Sequence, residues 1–88
     1  MELWIRSQDK NSLTKVSNLS LQEIKHPVRH DVEYYGIGTY YDNLQMLGKY
    51  TTQERALEVL DEIQNFIERK DFEGNRYYEG KIYEMPKE

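Results

Sequence analysis

Apolar and polar positions along the chain change rhythm once, from alternation in twos to a helical repeat. In "TTQERALEVLDEIQNFIERK", Ala56, Leu60, Ile63 and Phe66 or Ile67 recur at helical spacing, and Leu57 and Val59 widen the stripe. Glu58, Asp61, Glu62, Gln64 and Asn65 take the opposite face. Thr51 followed by Glu54 carries a capping-box signature, with Thr52 as the other possible N-cap. Arg69 and Lys70 are expected in the last turn, where cations suit the helix dipole. The pattern predicts a helix over about residues 52–69.

Upstream, the rhythm is that of strands. "LWIRSQ" sets Leu3 and Ile5 against Trp4 and Arg6, with "DKNS" as the turn behind it. "LTKVSNLSLQEI" supplies one or two strands with a break at Ser17-Asn18, and "KHPVRHD", which holds Pro27, reads as a loop. Val32 to Tyr41 and Leu44 to Tyr50 are rich in β-formers and predict a hairpin turning at Asp42-Asn43. After the helix, "FEGNRYYEG" reads as a connector and "KIYEMP" as a short final strand, with Pro86 at its end or at a sheet edge. The expected fold is α+β, a single domain over residues 1–88. A small antiparallel sheet of about five strands packs against one long amphipathic helix in the second half.

The expected hairpin pairs Tyr41 with Leu44, Thr39 with Met46 and Gly36 with Lys49. One face then carries Tyr35, Ile37, Thr39, Tyr41, Leu44 and Met46 toward the helix. The other carries Tyr34, Gly36, Gly38, Tyr40, Gln45, Leu47 and Lys49. On that second face two glycines leave a trough between two tyrosine rings, with a lysine opposite. Strand glycines mark the close approach of a ligand or another backbone, or else a bulge that curves the sheet. Tyrosine rings stack on planar groups and lysine meets anions, so both readings stand.

Composition narrows the chemistry. The chain has no cysteine, which removes disulfides, thiolate catalysis and cysteine-based zinc sites. Sixteen acidic against twelve basic residues give a formal charge of −4, the wrong sign for neutralising nucleic-acid phosphates. "MELWIRSQDK" lacks the apolar run of a signal peptide or membrane span, so a soluble, cytoplasmic chain is expected. "GIGTYY" lacks the third glycine of a dinucleotide loop, and no nucleophilic triad, Walker loop or H-E-x-x-H pattern is present. His26 and His30 flank Pro27 and read as solvated loop residues, and the acidic helix face reads as solvated too. No enzyme, cofactor or metal is therefore expected. Trp4 and Arg6 share a face with Gln8 and read either as binding anchors or as completion of the core. Arg76 and Tyr77 read as an aromatic loop over a pocket or interface, or as an ordinary turn. A domain this small buries limited apolar surface, so a homo-oligomer is expected.

"WIRSQDK", "LGKYTTQERALEVLDEIQ" and "KIYEMPKE", in that order, resemble a group of short proteins of Gram-positive bacteria and their phages. The resemblance implies a compact sheet-plus-helix protein and, through the phage association, action on host machinery or host defence. By analogy with phage sponges of nucleotide immune signals, the expected function is non-catalytic capture of a small nucleotide-derived ligand in the bacterial host cell. Trp4, Arg6, Tyr34, Gly36, Gly38, Tyr40, Lys49, Arg76 and Tyr77 are the candidate ligand-binding residues. The alternative is an interaction inhibitor or adaptor that uses the same aromatic surface on a host protein.

Overall fold

A computed structural model of the chain describes residues 3–70, 72–78 and 80–88. The elements run β1 (Leu3–Arg6), β2 (Leu13–Val16), β3 (Ser20–Lys25), β4 (Val32–Tyr40), β5 (Leu44–Tyr50), α1 (Gln53–Glu68) and β6 (Ile82–Glu84). The class is α+β, but the strands form two three-stranded sheets, β2-β1-β6 and β3-β4-β5, instead of one antiparallel sheet of about five. The break at Ser17-Asn18 is real and separates the two. β6 returns beside β1 in the parallel sense, with Trp4 opposite Ile82 and Arg6 opposite Glu84. No helix among the described residues is long and apolar enough to cross a membrane.

One core lies between the helix and the inner faces of both sheets. Leu3, Ile5 and Val16 come from the first sheet, Ile37, Leu47 and Tyr50 from the second, and Ala56, Val59 and Ile63 from α1. Tyr78 and Met85 close it from the connector and the segment after β6. The helix seam is narrower than the expected stripe. Leu60, Phe66 and Ile67 are only partly buried and Leu57 is exposed. Thr52, not Thr51, is the N-cap, and its hydroxyl accepts the Arg55 N–H at 3.1 Å. That choice places Arg55 three residues after the cap, so no capping box with Glu54 forms. The last turn holds no basic residue, because Arg69 is already the extended C-cap.

Side-chain carboxamides join the sheets where backbone ladders do not. The Gln8 N–H donates to Leu47 O at 2.8 Å, so the chain leaving β1 meets the free edge of β5. Its side chain continues the contact, with Oε1 accepting the Lys49 N–H at 2.7 Å and Nε2 donating to Lys49 O at 2.9 Å. The same Nε2 reaches Lys87 O at 2.8 Å and Pro86 O at 3.2 Å. Gln8 thus leaves the face expected to hold Trp4 and Arg6 and acts as a peptide unit between β5 and the chain after β6. At the opposite end of β5, Asn18 brackets Tyr40, accepting its N–H at 2.9 Å and donating to its carbonyl at 2.8 Å. Gln45 adds a bond to Thr14 Oγ1 at 2.9 Å.

Removing the Gln8 amide strands backbone groups on two segments at once. Gln8→Ala is expected to lower stability by about 1–3 kcal/mol, read from urea or thermal unfolding followed by circular dichroism. A change within about 0.5 kcal/mol, the scatter of ordinary surface substitutions, would show that the two segments hold together without it.

Candidate functional site

The second sheet decides what the tyrosine segment can do. Its β4–β5 register begins as expected, with Gly36 opposite Lys49 and Ile37 opposite Gly48. It then slips, because Gly38 pairs with Met46 and Tyr40 with Leu44, which leaves Leu47 unmatched as a β-bulge. The hairpin loop is therefore the three residues Tyr41, Asp42 and Asn43 in place of a two-residue turn. Leu47 drops into the core, while Leu44 and Met46 turn to the outer face, reversing their expected sides. Tyr41 leaves the helix-facing side altogether and stands almost fully exposed at the tip.

This slip fills the trough. A Cβ at Gly36 would run into Met46 Sδ, and one at Gly38 would lie 2.8 Å from Leu44 Cδ1 and 2.7 Å from the Gln45 carbonyl oxygen. The glycines make room for the chain's own side chains, so the expected empty slot between Tyr34 and Tyr40 is occupied from within. The resulting outer face carries Tyr34, Tyr40, Leu44 and Met46, with the Lys49 ammonium 4.7 Å from the centre of the Tyr34 ring.

The other candidates lie elsewhere. Trp4 and Arg6 occupy the outer face of the first sheet, Trp4 between Lys15 and Ile82 and Arg6 between Leu13 and Glu84. Trp4 is 44% exposed, so it does not complete the core. Arg76 and Tyr77 belong to the connector after α1. There the Tyr77 ring packs edge-on to Phe66 and lies under the Arg69 guanidinium at 4.0 Å and the Lys81 ammonium at 4.7 Å. Arg76 Nη1 donates to the Tyr78 hydroxyl at 3.4 Å. His26 caps its own loop, its Nδ1 accepting the Val28 and Arg29 N–H groups. Among the described residues no cluster of three or more His, Asp or Glu side chains is placed to hold a metal.

Lys49 leads to a site that the sequence pattern does not announce. A cleft of about 320 Å³ lies where β5 runs into α1, lined by Lys49, Tyr50, Thr51, Arg55, Lys87 and Glu88. Arg55 is held there by bonds to Glu58 at 3.2 Å, to the Glu88 carbonyl at 2.8 Å and to Glu62 at 3.5 Å. Lys49 and Lys87 make no ion pair among the described residues, and Glu88 brings a carboxylate to the same cleft. Arg55 and Lys87 escape sequence reasoning because only the parallel return of β6 brings residue 87 beside the start of α1. The slip at Leu47, by contrast, has a trace in the sequence: Met46 and Leu47 are adjacent apolar residues before a glycine, which breaks a period of two.

The Tyr50 hydroxyl at the cleft wall donates to Pro86 O at 2.9 Å. Burial pushes it up to about 12, with Glu62 adding to the shift and Arg55 opposing it. Tyr83, whose hydroxyl donates to Glu62 at 3.2 Å, is raised as well, first by burial and then by that carboxylate. An unfolded tyrosine ionises near 10. The native chain therefore keeps protons that the unfolded chain releases, so this contribution is complete below about pH 10 and is lost as pH rises through about 12.

Two outcomes follow. In an absorbance titration of the phenolates, Tyr50 and Tyr83 are expected to ionise only as the circular dichroism of the fold is lost. Ionisation of all eight tyrosines near pH 10 with the fold intact would contradict this. Gly38→Ala is expected to cost about 1–3 kcal/mol, since its methyl meets a backbone carbonyl. Gly36→Ala should stay within about 1 kcal/mol, since it meets only the mobile end of a methionine. Equal costs would show that the glycines are not packed as described.

Comparison of the chain with protein-family models, with curated proteins and with solved structures finds no match.

Proposed function

We propose that the chain is a non-catalytic binding protein that captures a small nucleotide-like anion in the cleft between β5 and α1. The observation that carries this reading is the convergence of Lys49, Arg55 and Lys87, with the Thr51 hydroxyl, in one cleft of a chain whose net charge is −4. Lysine ammonium groups and a guanidinium suit phosphate oxygens, with Arg55 fixed by its neighbours, Lys49 shared with the Tyr34 ring, and Glu88 as the opposing charge an anion would have to displace. Lys49 also touches the Tyr34 ring, and a tyrosine ring beside a phosphate-binding cation suits a nucleobase. A volume near 320 Å³ falls at the small end of ligand pockets, which favours a compact ligand or one that extends onto the Tyr34 face. The resemblance to short phage and Gram-positive proteins supplies the setting. Such a binder acts in counter-defence, holding a host signal out of circulation.

Titration calorimetry with cyclic nucleotides, ADP-ribose-type nucleotides and inorganic phosphate tests the reading. Saturable binding of at least one nucleotide is expected, with the ligand recovered chemically unchanged. Lys87→Ala and Lys49→Ala should each weaken it about tenfold, as loss of a charge-assisted hydrogen bond does. Tyr34→Ala should cost one stacked base, about 1–3 kcal/mol. Silence across the panel would remove the reading. Recovery of a stoichiometric host protein by affinity capture would then favour an interaction inhibitor or adaptor.

A further inference from the structure

The outer face of β3-β4-β5 is covered by no element among the described residues, since α1 packs on the inner side. Down its centre, β4 presents Tyr34, Gly36, Gly38 and Tyr40, a sequence that reads the same in both directions. Met46 lies over Gly36 and Leu44 over Gly38, so the middle of the face is filled by apolar side chains. On the flanking strand, Gln22 stands opposite Gly36 and Ser20 opposite Gly38. Lys49 at one corner is its charged group, although a third of the chain's residues are charged.

We infer that this face is covered by a second copy of the chain, related by a two-fold axis that crosses β4 at the level of Ile37. That operation carries the four β4 positions onto one another, so each contact is made twice, as in an isologous interface. Tyr34 of one copy then lies against Tyr40 of the other, Gly36 against Gly38, and the Gln22 amide against the Ser20 hydroxyl. Size also selects this face. Strands of nine, seven and six residues give a footprint on the order of 350 Å², at ~3.4 Å per residue and ~4.8 Å between strands. Two such footprints make about 700 Å² before side-chain relief and the exposed Tyr41 tips are added, the size of a weak, reversible interface. The outer face of β2-β1-β6, built on strands of four, four and three residues, offers about half of that and falls short despite Trp4. The pairing also brings Tyr40 of the second copy beside Tyr34 and Lys49, but it stands on the face alone and not on the ligand reading.

Analytical ultracentrifugation without ligand tests the inference. A dimer of twice 10.6 kDa is expected at micromolar to sub-millimolar concentration. Tyr40→Lys and Tyr34→Lys, each shown folded by circular dichroism, should weaken it roughly tenfold or more, the loss typical of a buried aromatic anchor. Trp4→Lys on the other sheet should leave it intact. A monomeric wild-type chain at sub-millimolar concentration would overturn the inference whatever the variants do. So would a dimer that survives both tyrosine substitutions and falls apart with Trp4→Lys.

Discussion

Gln8 fixes how the two sheets of this fold sit on one another. A three-stranded sheet of four-, four- and three-residue strands cannot bury enough surface to stand alone, and its partner sheet has only one helix to cover it. The sheets share a core, but a core is non-directional and does not fix how two sheets sit on one another. Directional bonds do that here. The Gln8 main chain and carboxamide together satisfy the Leu47 carbonyl and both backbone groups of Lys49, all on the free edge of β5. An edge that would otherwise invite another strand is thereby closed. The same amide reaches the carbonyls of Pro86 and Lys87, so one side chain sets the positions of three segments distant in sequence. Gln45, bonded to Thr14 Oγ1, adds a second tie between the sheets, and Asn18 extends the β3–β4 pairing to Tyr40.

The bulge at Leu47 follows from the same constraint. Leu47 enters the core and its carbonyl turns to Gln8, while the residues before it shift by one and change sides. That single extra residue fills an apparent ligand slot with apolar side chains, since it delivers Met46 and Leu44 onto the two glycines. Lys49 sits between the aromatic face and the basic cleft, touching the Tyr34 ring on one side and lining the cleft with Arg55 and Lys87 on the other. The segment that Gln8 pins, residues 86 and 87, is the one that carries Lys87 to the cleft.

Much of this was legible in the residues themselves. The helix ends lie within a residue of the expected range, the loop at Pro27 and the break at Ser17-Asn18 are where turn chemistry puts them, and the hairpin has its first two pairs right. Local periodicity carries those features. It does not carry the slip at Leu47, which is stabilised by a bond to a residue 39 positions earlier in the chain. Nor does it carry the parallel pairing of β6, which depends on the whole chain having already folded back. Hence the face of Tyr34, Gly36, Gly38 and Tyr40 could be assembled from sequence, while its contents could not. Lys49 was legible as a cation near that face, and its cleft partners Arg55 and Lys87 were not.

The filled trough and the sides taken by Leu44, Met46 and Leu47 all rest on the register of the hairpin beyond Ile37. Nuclear Overhauser contacts in an isotope-labelled sample, with the methionine methyl groups assigned, test it directly. Contact between the Met46 methyl and the Gly36 α-protons is expected, together with cross-strand contacts of Tyr40 with Leu44 and Gly38 with Met46. Contacts of Tyr41 with Leu44 and Thr39 with Met46, with the Met46 methyl on the helix side, would contradict it.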